Sequence, residues 1–113
     1  MGWRVVISRI QKIVSGGQTG VDRGALDAAL ACDVPVGGWC PMDRSAEDGT
    51  IPAKYLLEPA DKPGNHERTM RNVRDSDGTL IIHHGGLSGG TEQTLQLCLE
   101  RKNVVTAICR LGE

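Results

Sequence analysis

Phenylalanine is absent from the 113 residues, and Trp3, Trp39 and Tyr55 are the only aromatics. The core must therefore be aliphatic and alanine-packed. An excess of one charge is absent too: 13 basic and 14 acidic residues leave a net charge of −1. That gives no field for nucleic acid or for a membrane surface, so neither is expected as a partner. No apolar run approaches the ~20 residues of a membrane span, and the N-terminus lacks the long apolar segment of a signal peptide. The four cysteines, Cys32, Cys40, Cys98 and Cys109, show neither C-x-x-C nor zinc-ligand spacing. Scattered in this way they read as reduced thiols of a cytoplasmic protein. His83 and His84 are neighbours on an expected strand and point to opposite faces, and His66 has no partner at ligand spacing. No protein-ligated metal is expected.

Glycine, in contrast, is abundant. There are fifteen, nearly twice the average share of about 7%. They are clustered rather than periodic, which excludes collagen-like and linker readings. Gly16, Gly17 and Gly20 form one group, Gly37 and Gly38 a second, and Gly85, Gly86, Gly89 and Gly90 a third.

Length alone predicts a single domain over 1–113, burying roughly two thirds of its unfolded surface. Apolar runs alternate with helical patterns. "KIVSG" is a short β-branched run ending in glycine, a buried strand. Val21, Ala25, Ala28, Ala29 and Cys32 then recur at helical spacing. Thr19 and Asp22 have the T-x-x-D form of a capping box, which starts the helix at Gly20 or Val21; Asp33 and Pro35 end it. "VPVGGW" predicts a second strand. Residues 44–60 read as a long polar loop, a length that is uncommon unless functional. Asn65 is expected to cap a helix with Met70 and Val73 inward. "GTLIIHH" predicts a third strand, followed by "GGLSGG" and a helix from Thr91 to about Lys102 with Leu95, Cys98 and Leu99 inward. "VVTAI" predicts a fourth strand. This alternation predicts an α/β fold: one Rossmann-like three-layer domain with a parallel sheet of four to five strands. Trp3 to Ile10 is an extra strand or an extension.

Two loops share one design: a buried strand, glycines, then a helix preceded by threonine. They are "SGGQTG" and "GGLSGGT". Each ends where a helix exposes unpaired N–H groups, and glycine lets the backbone approach a ligand closely. Helix N-termini favour anions. The spacing is neither the dinucleotide fingerprint nor the P-loop pattern. If the first and third strands are neighbours, both loops face one crevice at the carboxyl end of the sheet.

The segments "KIVSGGQTGVDRGALDAAL", "VPVGGWCP", "R-x-AEDG-x-IP", "ERTMRNVRDSDGTLII" and "GGT" resemble the molybdenum-cofactor carrier proteins. These belong to a Rossmann-like superfamily that includes the LOG phosphoribohydrolases, once described as lysine decarboxylases. The resemblance spans about Lys12 to Ile108. It implies a homo-oligomeric protein binding a small anionic ligand, the molybdenum cofactor or a nucleotide, with molybdoenzymes as recipients of the cofactor. The implied ligand-site residues are Gly16, Gly17, Gln18, Thr19, Gly20, Asp22 and Arg23; Trp39, Cys40, Arg44, Glu47 and Asp48; Arg68, Thr69 and Asn72; and Gly89, Gly90 and Thr91.

The residues themselves leave alternatives open. Asp22 suits the positive end of a helix with or without a ligand. Trp39 either stacks on a heterocycle or caps the core, and Cys40 either contacts ligand or packs in a turn. Arg44, Glu47 and Asp48 form a lid or a solvated cluster. Met42 and Asp43 replace the basic residue and glycine usual in the family. The LOG signature resembles G-G-x-G-T-x-x-E; aligned on Thr91, the glutamate position holds Thr94, which cannot do the acid–base work of a carboxylate. Binding and transport are therefore expected ahead of nucleotide hydrolysis, which remains the alternative, as does nucleotide sensing.

Overall fold

Residues 10–84, 89–101 and 104–110 are described by the computed structural model. The chain enters through β1 (Ile13–Val14), two β-branched residues that pair in parallel with β2 (Val36–Gly37), Ile13 opposite Val36. Between them runs α1 (Val21–Ala31). Its start differs from the expected capping box. Gly20, at φ 86°, is the N-cap and no side chain caps the helix. Thr19 reaches away to Glu47, and Asp22 turns back to accept the Gln18 amide at 3.3 Å. Its end fits the prediction. Asp33 takes the left-handed conformation at φ 55°, and Val34 N–H closes onto the Ala29 carbonyl at 2.8 Å, a Schellman closure with aspartate in glycine's usual place. The buried face is Leu26 and Ala29; Val21, Ala28 and Cys32, expected inward, are exposed. The larger side chain of Leu26 takes the core and sets the rotation of the helix.

Gly38 then lets the chain change partners. Its φ is 128°, and a Cβ there would collide with the Ser15 carbonyl oxygen and lie 2.8 Å from Ser15 N. Beyond it, β3 (Trp39–Cys40) pairs in parallel with β6 (Glu58–Pro59). The intervening stretch contains more structure than the polar loop expected. The hairpin β4 (Ser45–Ala46) and β5 (Gly49–Thr50) turns through Glu47 and Asp48. Ile51, Tyr55 and Leu57 leave it to join Leu26 and Cys40 in one buried cluster.

A second cluster holds the other half together. α2 (Asn65–Arg74) begins after Gly64, so Asn65 is the first helical residue rather than the cap. Val73 packs with Leu97 and Cys98 of α3 (Gly89–Glu100), with Met70 against them. Leu99, expected inward, is 59% exposed, and Leu97 is buried in its stead. β7 (Gly78–His84) pairs in parallel with β8 (Val104–Arg110) along seven residues. The described residues are thus α/β, and pair as four two-stranded sheets, three parallel and one antiparallel. β1 ends one residue before the Gly16–Gly17 pair, and β2 ends inside the Gly37–Gly38 pair.

Replacing Gly38 with alanine strains a left-handed backbone and drives a methyl group into fixed backbone atoms. The expected cost is about 2 kcal/mol or more, read as a fall in melting temperature of roughly 4–8 °C per kcal/mol for a domain of this size. Gly64→Ala meets no atom within 4 Å and should cost less in the same melt.

Candidate functional site

The first glycine loop folds around Ser15. Its hydroxyl donates to the Asp22 carbonyl at 3.0 Å and accepts the Gly17 amide at 3.2 Å. With Asp22 Oδ2 accepting Gln18 N–H, two of the amides expected to face a ligand are already partnered within the loop. Those of Thr19 and Gly20 have no acceptor among the described residues. Gly17, at φ 75°, lies over Leu57, whose Cδ1 a Cβ would approach to 2.6 Å.

The β4–β5 hairpin rests on this loop through polar contacts. Gln18 Nε2 donates to the Ser45 carbonyl at 3.0 Å, and Thr19 Oγ1 donates to Glu47 Oε2 at 3.3 Å. Arg23 grips Asp48 with two N–H groups at 2.9 and 3.2 Å while Nε and Nη2 hold the Gly17 carbonyl. Its guanidinium also lies 5.3 Å from the centre of the Tyr55 ring. The Arg23 hydrogen bonds hold the Asp48 carboxyl below its usual pKa.

The three arginines nominated by sequence have separate surroundings. Arg23 is the clamp just described. Arg44, at φ 56°, donates to the carbonyls of Leu57, Ile51, Pro52 and Tyr55, each at 3.2 Å. It organises the chain after the hairpin, and Nη1 also lies 3.9 Å from Cys40 Sγ. Arg68 differs. Nε donates to Asn65 Oδ1 at 3.3 Å, but among the described residues its two terminal nitrogens meet no acceptor. The guanidinium lies against Gly16, where a Cβ would collide with Nη1. Burial pushes its pKa down, and the nearby Asp22 carboxylate opposes that shift. A desolvated cation without acceptors is costly and calls for a hydrogen-bonding partner.

Cys40 lies beneath, fully buried. Burial pushes its thiol pKa up, so it is protonated at neutral pH and is not a poised nucleophile. Beside it, Trp39 is fixed from α2. The Asn72 side-chain amide accepts Trp39 N–H at 2.7 Å and donates to the Trp39 carbonyl at 2.9 Å, imitating an adjacent strand. Trp39 Nε1 donates to Asp75 Oδ2 at 2.8 Å, and the Arg71 guanidinium stacks 4.6 Å from the ring centre. One face of the indole is therefore covered. Thr69 is buried one residue beyond Arg68.

Gly89 and Gly90 open α3. Gly85–Ser88 and the side chains of His83, His84 and Thr91 lie outside the described residues, as does any meeting of the second glycine loop with the first. The structure brings together the first motif, Glu47, Asp48, Cys40 and Arg68, places Trp39 and Asn72 alongside, and sets Arg44 on the far chain segment with Nη1 3.9 Å from Cys40 Sγ. Sequence reasoning missed Ser15, Ser45, Tyr55, Arg71 and Asp75. Only Ser15, set directly before two glycines, carried a readable signal. Among the described residues, no three His, Cys, Asp or Glu side chains group to hold a metal, and no helix is long and apolar enough to cross a membrane.

A family model described as "Circularly permutated YpsA SLOG family" matches residues 13–112. A crystal structure of a protein from Syntrophus aciditrophicus SB, named as a molybdenum carrier, superposes with a TM-score of 0.86 at 47% identity. The alignment covers 88% of this chain and 63% of that one, so the chain spans less than two thirds of that relative's length. No curated protein matches.

The Trp39 anchor responds to acid. Arg74, then the Trp39 indole N–H, lower the Asp75 pKa from 3.8 to about 2. A depressed carboxylate stabilises above its ordinary pKa, and that contribution disappears as pH falls through about 2. Asp75 is partly exposed, so solvent screens the effect and the stability change is small. With Trp3 replaced by phenylalanine, the Trp39 emission should shift as pH falls through about 2, and Asp75→Asn should abolish that step.

Proposed function

Because the chain belongs to the circularly permutated YpsA SLOG family, we propose that it is a binding and carrier protein for an anionic, phosphorylated heterocycle, with the molybdenum cofactor as the favoured ligand. Arg68 carries the reading. It is a half-buried guanidinium whose terminal nitrogens lack acceptors among the described residues, set against the bare Cα of Gly16. Arginine stays charged at any physiological pH, and charge-assisted hydrogen bonds are the strong ones, so acceptors from a bound molecule relieve its desolvation. The name of the Syntrophus relative agrees with this reading.

In this proposal, the ligand's phosphate lies at the free amides before α1, where the helix end adds its partial positive charge. Arg68 takes further acceptors of the ligand, and the β4–β5 hairpin covers the loop. The second glycine loop, from Gly89, Gly90 and Thr91, supplies more amides. The pterin chelates its own molybdenum, so the proposed site needs no metal ligands from the protein. The parallel pairs are portions of one Rossmann-like sheet, the active form is a cytoplasmic homo-oligomer, and molybdoenzymes receive the cofactor.

Thermal-shift titration tests the binding. Cofactor released anaerobically from a molybdoenzyme should raise the melting temperature in a dose-dependent way, as any ligand specific for the native state does. Arg68→Ala should weaken binding by about tenfold to a hundredfold, the equivalent of ~1.5–3 kcal/mol for lost charge-assisted bonds. Stabilisation that is absent, or unchanged by the substitution, overturns the assignment. Incubation with AMP should yield no free adenine; sustained release abolished by Glu92→Gln or Asp22→Asn would establish a hydrolase instead.

A further inference from the structure

Arg68 and a carboxylate both flank Gly16. A Cβ on Gly16 would collide with Arg68 Nη1 and lie 3.2 Å from Asp22 Oδ2, so donor and acceptor sit close together at the bare Cα. Asp22 attracts the guanidinium, yet the two form no ion pair; the Arg68 side chain hydrogen-bonds Asn65 instead. Asp22 Oδ2 accepts the Gln18 amide, and Oδ1 accepts no hydrogen bond among the described residues. A carboxylate oxygen has capacity for more than one donor. The surface beside Gly16 therefore presents an acceptor wall and a donor wall close together.

A bare phosphate suits this pair of groups poorly. It would satisfy Arg68 while lying close to the Asp22 charge, and like charges at short range repel strongly where water is partly excluded. What suits both walls is a neutral edge carrying a carbonyl beside N–H groups. The 2-amino-4-oxopyrimidine ring, common to guanine and to pterins, has that edge: a carbonyl oxygen, a ring N–H and an amino group in succession. The two donors match a carboxylate in the bidentate manner, and the carbonyl accepts from the guanidinium. Adenine carries an acceptor ring nitrogen beside its amino group, so a lone pair would face Asp22.

We infer that Asp22 and Arg68, flanking Gly16, read a 2-amino-4-oxopyrimidine edge and so select guanine and pterin over adenine. This rests on the proposed function, a site for a phosphorylated heterocycle, and adds which heterocycle. The phosphate is then held elsewhere, at the amides before α1.

Calorimetric titration of the wild-type chain with GMP, IMP and AMP isolates the edge, because the three share one ribose phosphate. GMP should bind at least tenfold more tightly than AMP, with IMP, which lacks the 2-amino group, between them. A good bidentate contact discriminates bases by this much. 6-Hydroxymethylpterin should compete with GMP, and adenine should not. Asp22→Asn should weaken GMP by tenfold or more and AMP by less. Should that variant fail to fold, the wild-type comparison decides alone. Equal or inverted affinities for GMP and AMP overturn the edge assignment and leave a heterocycle-phosphate site standing. Failure of all three nucleotides and of the pterin to bind overturns the proposed function with it.

Discussion

The close approach of Gly38 to the backbone of Ser15 organises the rest of the molecule. At that point β2 has just ended and the chain must leave β1 without losing contact with it. Only a residue without Cβ can lie against the Ser15 carbonyl and amide. The Gly38 carbonyl then accepts Glu58 N–H at 2.8 Å, so the new strand pairing begins on the residue that made the crossing possible. Trp39 is delivered to α2 and Cys40 to the floor beneath the glycine loop. Ser15 is held in the same contact, and its hydroxyl shapes the loop above. One steric allowance thus couples the strand order, the anchoring of Trp39 and the shape of the candidate site.

Electrostatics divides the labour among the arginines. A guanidinium has five N–H donors in a fixed fork, and what receives them decides what it does. Arg44 spends its donors on main-chain carbonyls and acts as a staple for a segment with little regular structure. Arg23 joins a carbonyl of the loop to a carboxylate of the hairpin, linking two surfaces that share few apolar contacts. Arg71 is paired with Glu67 and Asp61 and stacked on Trp39. Arg68 alone, of these four, leaves its terminal donors without protein acceptors among the described residues. Residue type identified all of these as cations; only the fold distinguishes those that hold the protein together from the one whose terminal donors meet no acceptor among the described residues.

Much of the architecture was legible because it rests on local rules. The β-branched and aliphatic runs gave β1, β7 and β8, and the glycine and aspartate punctuation gave the end of α1. Failures came where tertiary contacts outweighed local preference. The T-x-x-D pattern at Thr19 and Asp22 is a sound capping signal, but Glu47 and the Gln18 amide offered those side chains partners distant in sequence or reversed in direction. Asn65 and Leu99 moved by one or two positions for the same reason: helix pattern fixes a face only to within the rotation that packing selects. The stretch from Arg44 to Ala60 read as polar because its apolar residues, Ile51, Tyr55 and Leu57, follow neither helical nor strand period. Their burial depends on Arg44, whose four carbonyl contacts no spacing rule anticipates. The site residues matched by family motif fell largely in one region, but motif could not separate Asn72, which mends a strand edge, from Arg68.

The carboxylate of Asp22 changes what a glycine loop of this kind means. An empty row of amides reads negative charge and little else, so a loop built only of such groups would accept any oxyanion. Here Ser15 and Asp22 take two amides for the protein's own use, and the loop is thereby stiffened before a ligand arrives. Preorganisation lowers the entropy lost on binding. The same carboxylate sets a negative group near Arg68, so that in the proposed site charge alone no longer suffices. Specificity of this sort arises as much from the penalty on a wrong partner as from attraction to a right one. In the proposed site Asp22 is then both the internal cap of its loop and a filter beside it. The two roles are compatible because a carboxylate oxygen accepts from more than one donor, so Oδ2 keeps the Gln18 amide while both oxygens remain available to a ligand edge.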